Sequence, residues 1–235
     1  MSRGKVVIEA CCASVEEAVA ADRAGVDRIE LCAALPTGGV TPSVGMIEEV
    51  RARVAVPIVA MVRPREGRPD PPEEDFRATV RDIKHCLAAG AEEVICGVLD
   101  SHRRIDRFRN AELVAAAEGR PVAFHRVFDM TPDLGQSLNQ LVDLGFCRVL
   151  TSGGHPTVDS ALQVLKNLVR QSNGRITILP GGGVRPSNVR ALVGAGCREL
   201  HFSMRQTTSR PAYGGVDDFE ALPSRVAEIH AALGQ

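Results

Sequence analysis

The sequence is poor in large aromatic residues: it has no Trp and a single Tyr, Tyr213. Surfaces that bind single-stranded nucleic acid stack bases on such residues, so their scarcity argues against that class of protein. The charge distribution also argues against nucleic-acid binding. The 28 Lys and Arg are interleaved with 29 Asp and Glu for a net charge of −1, without a basic block. We therefore expect no nucleic-acid partner.

Long apolar runs and paired cysteine motifs are also missing. No stretch approaches the roughly 20 apolar residues of a membrane span, and the first residues lack the apolar core of a signal peptide. The seven cysteines are scattered, odd in number and never spaced as Cys-x-x-Cys. These absences predict a cytoplasmic protein with free thiols and no membrane partner.

Strand-like and helix-like segments alternate eight times along the 235 residues. The predicted strands are 6–11, 27–32, 57–63, 93–99, 121–127, 147–151, 175–179 and 199–203. The predicted helices are 15–24, 42–54, 73–89, 107–118, 132–144, 157–171, 186–194 and 217–233. This order predicts an α/β fold, a single-domain TIM-like (β/α)8 barrel over residues 1–235. The alternative is a doubly wound open sheet, against which no Gly-x-Gly-x-x-Gly follows the first strand.

Polar residues stand at buried-type positions where several strands end. On strand one Glu9 and Cys11 share a face, and on strand two Glu30 and Cys32 do, because side chains alternate along a strand. Their neighbours on the other face are apolar and suit packing against helices. Both Glu–Cys pairs are therefore predicted to point into the barrel near its carboxyl end.

The same alternation predicts further inward side chains at this end: Met61, Arg63, His125, Thr151, His201 and Ser203. Active sites of (β/α)8 barrels lie at this face. Carboxylates and imidazoles in such a pocket are suited to acid–base chemistry, because burial moves their pKa values toward neutrality. We take Glu9, Glu30, His125 and His201 as candidate catalytic residues. The alternative is a purely structural network of Glu–Arg pairs.

A glycine run follows strand seven, at Gly181, Gly182 and Gly183, and barrels commonly bind phosphate near strands seven and eight. Thr151, Ser152 and Gly153 follow strand six and offer hydroxyl and amide donors. Ser203 ends strand eight. Together these residues predict an anion site, although a tight turn alone explains one or two glycines.

Arginine and aspartate add to the candidate site. Arg63 and Arg65 flank Pro64 and can hold a carboxylate or phosphate through their planar guanidinium groups. Asp129, after His125, can orient a partner or substrate, whereas alternation sends Arg126 outward to a structural role. The segment 64–72 is rich in Pro, Gly and charge and is a candidate lid.

Eight sequence blocks in order resemble one known family. They are IEAC at 8–11, DRIELC at 27–32, GGVTPS at 38–43, VRPR at 62–65, FHRVFD at 124–129, LTSG at 150–153, PGGGV at 180–184 and ELHFS at 199–203. They resemble the CutC family, named for copper homeostasis. One departure lies at 66–71, where EGRPDP stands in place of the family's approximate Gly-Gly-Asp-Phe-x-Tyr.

The resemblance implies a TIM-like barrel, a cytosolic location, a homo-oligomer (a dimer or tetramer) and copper binding. Cys11 and Cys32 match the cysteines proposed to bind Cu(I), a soft ion that favours thiolate, thioether and imidazole ligands. Met61 or His201 can add a third ligand. The polar barrel mouth favours a second hypothesis, an isomerase, lyase or hydrolase acting on a small phosphorylated or carboxylated metabolite. A third is a Zn or Mn site of Glu9, Glu30, His125 and His201.

Overall fold

The computed structural model describes residues 5–207, 219–221 and 223–234. Its main sheet contains β1 Val7–Cys12, β2 Arg28–Leu31, β3 Ile58–Met61, β4 Glu93–Cys96, β5 Val122–Phe124, β6 Arg148–Thr151, β7 Thr177–Pro180 and β8 Glu199–Ser203. Neighbours in the hydrogen-bonded order β7-β6-β5-β4-β3-β2-β1-β8 are parallel, and β7 lies beside β8. The predicted (β/α)8 barrel is confirmed.

Eight α-helices accompany the strands in the described residues. They are α1 Val15–Ala24, α2 Val44–Arg51, α3 Glu73–Ala88, α4 Arg107–Ala116, α5 Leu134–Leu144, α6 Leu162–Ser172, α7 Val189–Gly194 and α8 Pro223–Leu233. The last helix begins later than predicted, because Phe219–Ala221 forms β10, antiparallel to β9 Arg205–Thr207. Tyr213 and the predicted helix start at 217 lie outside the described residues. Within that part of the chain, no helix has both the length and the apolar character of a membrane span.

Side-chain caps fix where the helices begin. The Ser14 hydroxyl accepts a hydrogen bond from the Glu17 amide at 3.1 Å at the start of α1, and Gly25 ends that helix with a φ of 89°. Helix α5 begins at Leu134, later than the predicted 132, because Asp133 accepts from the Gln136 amide at the helix start. Thr131 lies before this helix and donates its hydroxyl to the Phe128 carbonyl.

The barrel separates two apolar layers. The outer layer lies between the sheet and the helices. The inner layer takes two residues from β3, one each from β1, β4, β5, β6 and β7, and Cys32, which follows β2. The inner residues are Cys11, Cys32, Val59, Met61, Ile95, Ala123, Leu150 and Leu179. The predicted inward direction is therefore confirmed for Cys11, Cys32 and Met61.

For β6 the predicted alternation is wrong. Leu150 belongs to the inner layer and Val149 to the outer one, so Thr151 does not point into the barrel. Its hydroxyl donates to Asp129, behind the strand. The error arose because β6 carries apolar residues on both faces, which leaves alternation without a polarity signal.

A ring of four alternating charges fills the amino-terminal end of the barrel. It consists of the first residues of β2, β4, β6 and β8, namely Arg28, Glu93, Arg148 and Glu199. Arg148 contacts Glu93 at 2.8 Å and Glu199 at 2.7 Å, and Arg28 also pairs with Glu199. Four side chains from alternate strands are the usual content of one layer in this architecture. This ring was missed because charges that begin a strand resemble a solvated edge.

Candidate functional site

A cavity of about 680 Å³ opens at the carboxyl ends of the strands, above the inner apolar layer. Cys11, Glu30, Met61, Leu150 and His201 lie deepest in it, since each belongs to a strand and is buried. Loop residues form most of its walls and rim, among them Arg63, Arg65, Arg68, His125, Arg126, Gly182 and Gly183, together with Ser203 at the end of β8 and Arg225 in α8. The site is thus at the end of the barrel where the sequence predicted it.

Two cysteines, a glutamate and a histidine meet at the cavity floor. Cys11 and Glu30 are register partners on β1 and β2, and the Cys11 Sγ lies 3.6 Å from Glu30 Oε1 and 3.8 Å from Cys32 Sγ. His201 on β8 completes the group, and one ligand atom each from Cys11, Glu30 and His201 lie within 4.8 Å of one another. We call these four residues the floor cluster. The ligand atoms of Cys11, Glu30 and His201 are close enough to bind one metal ion, and Cys32 adjoins them through its contact with Cys11.

Glu9 lies below this cluster and outside the cavity lining. Its Oε1 accepts from His201 Nδ1 at 2.7 Å, and its Oε2 accepts from Arg28. Burial raises the Glu9 pKa, but the charge of Arg28 and the bond to His201 outweigh it and hold the pKa at about 2. The carboxylate is therefore charged and fully engaged. It positions the His201 ring, leaving Nε2 as the ring nitrogen open to a ligand.

Glu30 differs from Glu9 because one of its oxygens, Oε2, has only the His201 ring, at 3.9 Å, as an ion-pair neighbour in the described part of the chain. Glu30 Oε2 is buried without a hydrogen bond among the described residues. Burial raises the Glu30 pKa, the negative charge of Glu9 adds to this rise, and His201 opposes it. Burial also lowers the His201 pKa, but Glu30 and Glu9 together outweigh it and raise that pKa. A buried, unpartnered carboxylate oxygen facing a cavity indicates a site for a ligand or proton.

His125 stands in the wall, apart from the floor cluster. Its Nδ1 accepts a long hydrogen bond from the Val127 amide at 3.4 Å, which places the proton of the neutral ring on Nε2. Burial, with a smaller contribution from the positive charge of Arg63, lowers its pKa to about 4. His125 is therefore a neutral donor near pH 7. It does not join the ligand group of the floor cluster, so the four residues of the hypothetical Zn or Mn site do not converge.

Arg126 lines the cavity, and its predicted outward direction is wrong. The prediction assumed a strand to residue 127, whereas β5 ends at Phe124 and a 3₁₀ turn follows over Arg126–Met130. Strand alternation does not apply in a turn. The Arg126 Nη2 donates to Ser152 Oγ at 2.7 Å, and Nε lies 3.2 Å from the Asp129 carboxylate.

Asp129 takes up the donors that were predicted to bind an anion after β6. Its carboxylate accepts from the Thr151 hydroxyl, from the Ser152 amide and hydroxyl at 2.9 Å each, and from the Gly154 amide at 3.0 Å. The Gly153 amide donates to Thr151 Oγ1 at 2.8 Å. None of these residues lines the cavity. Their hydrogen bonds join the loop after β5 to the loop after β6. Because these donors and the carboxylate already bind one another, Asp129, Thr151, Ser152 and Gly153 do not have the predicted role of binding an anion.

The three glycines after β7 have different roles. The Gly181 amide donates to the Thr151 carbonyl at 2.9 Å, and a Cβ there would lie 2.5 Å from Leu150 and 3.1 Å from His201. Gly181 therefore makes room for the His201 ring and is not free to bind an anion. Gly182 and Gly183 have positive φ of 99° and 85° and line the cavity. Their amides donate no hydrogen bond within the described part of the chain.

The remaining predicted anion ligands reach the rim. Arg63 donates only to backbone carbonyls, at 3.3–3.4 Å, whereas Arg65 pairs with Asp75 at 2.6 Å. Ser203 lines the cavity, but its hydroxyl accepts from the Arg205 amide at 3.1 Å. The divergent loop is fastened at two points, because the Leu99 amide donates to the Pro69 carbonyl and Arg109 to that of Pro71. Its role as a lid stays a prediction.

The family profile described as "CutC family" matches residues 6–206, which include every residue named in this site except Arg225. The chain belongs to the CutC family. It is 41% identical over 202 residues to the human "Copper homeostasis protein cutC homolog", covering 86% of this chain and 74% of that one. A CutC family protein of Erwinia tasmaniensis is 40% identical over 202 residues, covering 86% and 80% of the two chains. The crystal structure of CutC from Streptococcus agalactiae matches with a TM-score of 0.80, 31% identity, and coverage of 84% of this chain and 98% of that chain.

Proposed function

We propose that this protein takes part in copper homeostasis by binding Cu(I) at the floor cluster. The observation that carries the proposal is the 3.8 Å separation of the Cys11 and Cys32 sulfurs, of which Cys11 lines the cavity. A metal–thiolate bond is about 2.3 Å long, so both sulfurs can contact a single ion. The human relative is named "Copper homeostasis protein cutC homolog", which supports copper as the ion.

The chemistry of the donors fits this ion. Two thiols and an imidazole are soft and borderline ligands, which Cu(I) prefers over carboxylate and water. Glu9 holds His201 from behind in the manner of the carboxylate–histidine pairs that support metal ligands. Cys11 and Cys32 are the ligands we propose, in a two-coordinate site. His201 and Glu30 lie beside Cys11, and Glu30 is a buried carboxylate that can balance charge or accept a proton.

The Cys11 thiol is protonated before the ion binds. The hydrogen bond with Cys32, burial and the nearby Glu30 carboxylate all raise the Cys11 pKa well above its usual value. Binding must therefore displace a thiol proton. We expect Cu(I) affinity to rise with pH in the neutral range.

A cytosolic location and a homo-oligomeric state belong to the same proposal. The seven cysteines carry no disulfide, which suits a reducing compartment. Size-exclusion chromatography with light scattering tests the expected dimer or tetramer.

Competitive titration of the reduced protein with Cu(I), under a chromophoric chelator, tests the copper site. We expect one tightly bound ion per chain, and loss of that binding in the Cys11→Ser, Cys32→Ser double variant. The matched control is Cys12→Ala with Cys96→Ala, which also removes two buried thiols but from the outer apolar layer. Equal affinity of the wild type and the Cys11, Cys32 variant would refute the proposal.

A second candidate function is an isomerase, lyase or hydrolase that acts on a small phosphorylated or carboxylated metabolite. The unpartnered Glu30 Oε2 and the neutral His125, both lining a cavity large enough for such a molecule, favour it. A carboxylate of raised pKa and a neutral imidazole donor are groups that remove a proton and polarise a carbonyl. In this candidate Glu30, His125 and His201 carry the chemistry, with Glu9 positioning His201.

A further inference from the structure

The cavity rim carries cationic groups that Cu(I) binding does not use. Five arginines line the cavity, against three acidic side chains, Glu30, Glu66 and Asp75. Arg65 pairs with Asp75, and Arg68 pairs with Asp70. By contrast, Arg63 and Arg225 have no carboxylate partner within 4 Å among the described residues. Because Cu(I) is itself positively charged, these arginines do not help to bind it.

One wall of the cavity brings a guanidinium group against free backbone amides. A Cβ on Gly182 would lie 3.1 Å from Arg126 Cζ and 3.2 Å from both terminal nitrogens, so only glycine allows this close approach. The amides of Gly182 and Gly183 donate to nothing within the described residues. Consecutive amides in a turn of positive φ form a concave surface that binds anions. Here such a surface adjoins a cation.

The charge of Arg126 is only partly neutralised within the protein. Its partner Asp129 lies 3.2 Å from Nε and is shared with the Thr151, Ser152 and Gly154 donors. Arg126 Nη1 makes no hydrogen bond to the described residues. Arg63, whose charge acts on His125, supplies further positive potential from the loop after β3.

We infer that Arg126 and the amides of Gly182 and Gly183 form an anion-binding subsite for the phosphate or carboxylate group of a small organic molecule. Gly181 lies between this subsite and the His201 ring. An anion held there directs the rest of its molecule down the same wall, toward His201 and Glu30. The inference deepens the second candidate function and names its substrate class, a small phosphomonoester or carboxylate. It does not depend on Cu(I).

Isothermal titration of the metal-free, reduced protein at constant ionic strength tests the subsite. The probes are inorganic phosphate, glycerol phosphate and glycerate, and the variants are Arg126→Gln, Arg126→Lys and the control Arg53→Gln. Arg53 is exposed and pairs with Glu49, and it does not line the cavity. We expect the anion that binds most tightly to lose at least about tenfold in affinity in Arg126→Gln, because charge-assisted hydrogen bonds are lost. Arg126→Lys keeps the charge without the planar guanidinium group, so its affinity for the anion should lie between those of the wild type and Arg126→Gln.

The comparison of phosphate with carboxylate probes decides which group the subsite prefers. Equal weakening by Arg53→Gln, or saturable binding by none of the probes, would overturn the inference. Circular dichroism and thermal unfolding of the unliganded variants show whether Arg126→Gln is folded, and Arg126→Lys keeps the test valid where it is not.

Two further titrations separate this inference from the copper proposal. The Cys11→Ser, Cys32→Ser variant should bind the anion like the wild type, and Arg126→Gln should bind Cu(I) like the wild type. Loss of anion binding in the cysteine variant would contradict a separate subsite.

Discussion

The two ends of the barrel interior carry similar ionisable residues but treat them in opposite ways. At the amino-terminal end Arg28, Arg148, Glu93 and Glu199 satisfy one another in a ring. At the carboxyl end Glu30 keeps an unpartnered oxygen and two protonatable thiols stand in contact. Glu9 links the two ends, with one oxygen on Arg28 and the other on His201. The buried charges are thus paired with one another at the amino-terminal end, whereas at the carboxyl end one carboxylate oxygen has no hydrogen bond among the described residues.

The ring should be the more sensitive end when one partner is removed. Replacing Arg148 with Met leaves Glu93 and Glu199 without their shared partner, and breaking a buried pair in this way costs about 3–5 kcal/mol. We expect the urea unfolding midpoint to fall accordingly. The exposed pair of Arg53 and Glu49 is the control, since Arg53→Met should cost no more than about 1 kcal/mol. Similar losses in both variants would show that the ring contributes little.

The floor cluster should tolerate, or gain from, removal of its unpartnered charge. Glu30→Gln replaces a desolvated carboxylate with an uncharged group of similar shape, so we expect unchanged stability or a gain of about 1 kcal/mol at pH 8. Urea unfolding of the two proteins at the same pH measures this difference. A loss comparable to that in Arg148→Met would mean that Glu30 has a structural partner.

The pH dependence of stability distinguishes Glu30 from Glu9. The Glu30 pKa is raised from 4.5 and that of His201 from 6.5, so each contributes stability that is complete below its unfolded pKa and lost as pH rises through its folded pKa. Glu9 has the opposite sign: its pKa of about 2 gives stability that is lost as pH falls from 4.5 toward 2.

In Glu30→Gln, His201 keeps only Glu9 as a negative neighbour. Its pKa should fall, and the decline in stability above pH 6.5 should become shallower. An NMR titration of the His201 ring in both proteins measures the first effect directly. An unchanged His201 pKa would contradict the coupling.

The sequence predicted the parts of this site that depend on regular strands. Glu9, Cys11, Glu30, Cys32 and His201 were placed inside the barrel because their neighbours on β1, β2 and β8 are apolar, so alternation had a clear polarity. The eightfold order of elements gave the architecture for the same reason: each strand and helix has its own period. The local pattern of polar and apolar residues was therefore sufficient to predict side-chain direction wherever the strand is regular.

Prediction failed where a strand ended or where a contact was distant in sequence. Arg126 was misplaced because β5 ends at Phe124 and a 3₁₀ turn follows. The donors of Thr151 and Ser152 were assigned to a ligand because nothing local shows that Asp129, more than twenty residues away, accepts them. The distinction between Gly181 and Gly182 needs the positions of His201 and Arg126, which only the folded chain provides.

X-ray absorption spectroscopy at the copper edge of the Cu(I)-loaded protein tests the central claim most directly. A site built on Cys11 and Cys32 predicts two sulfur scatterers, and loss of the sulfur shell in the Cys11→Ser, Cys32→Ser variant. A spectrum with only nitrogen or oxygen scatterers, or a sulfur shell that survives in that variant, would contradict it.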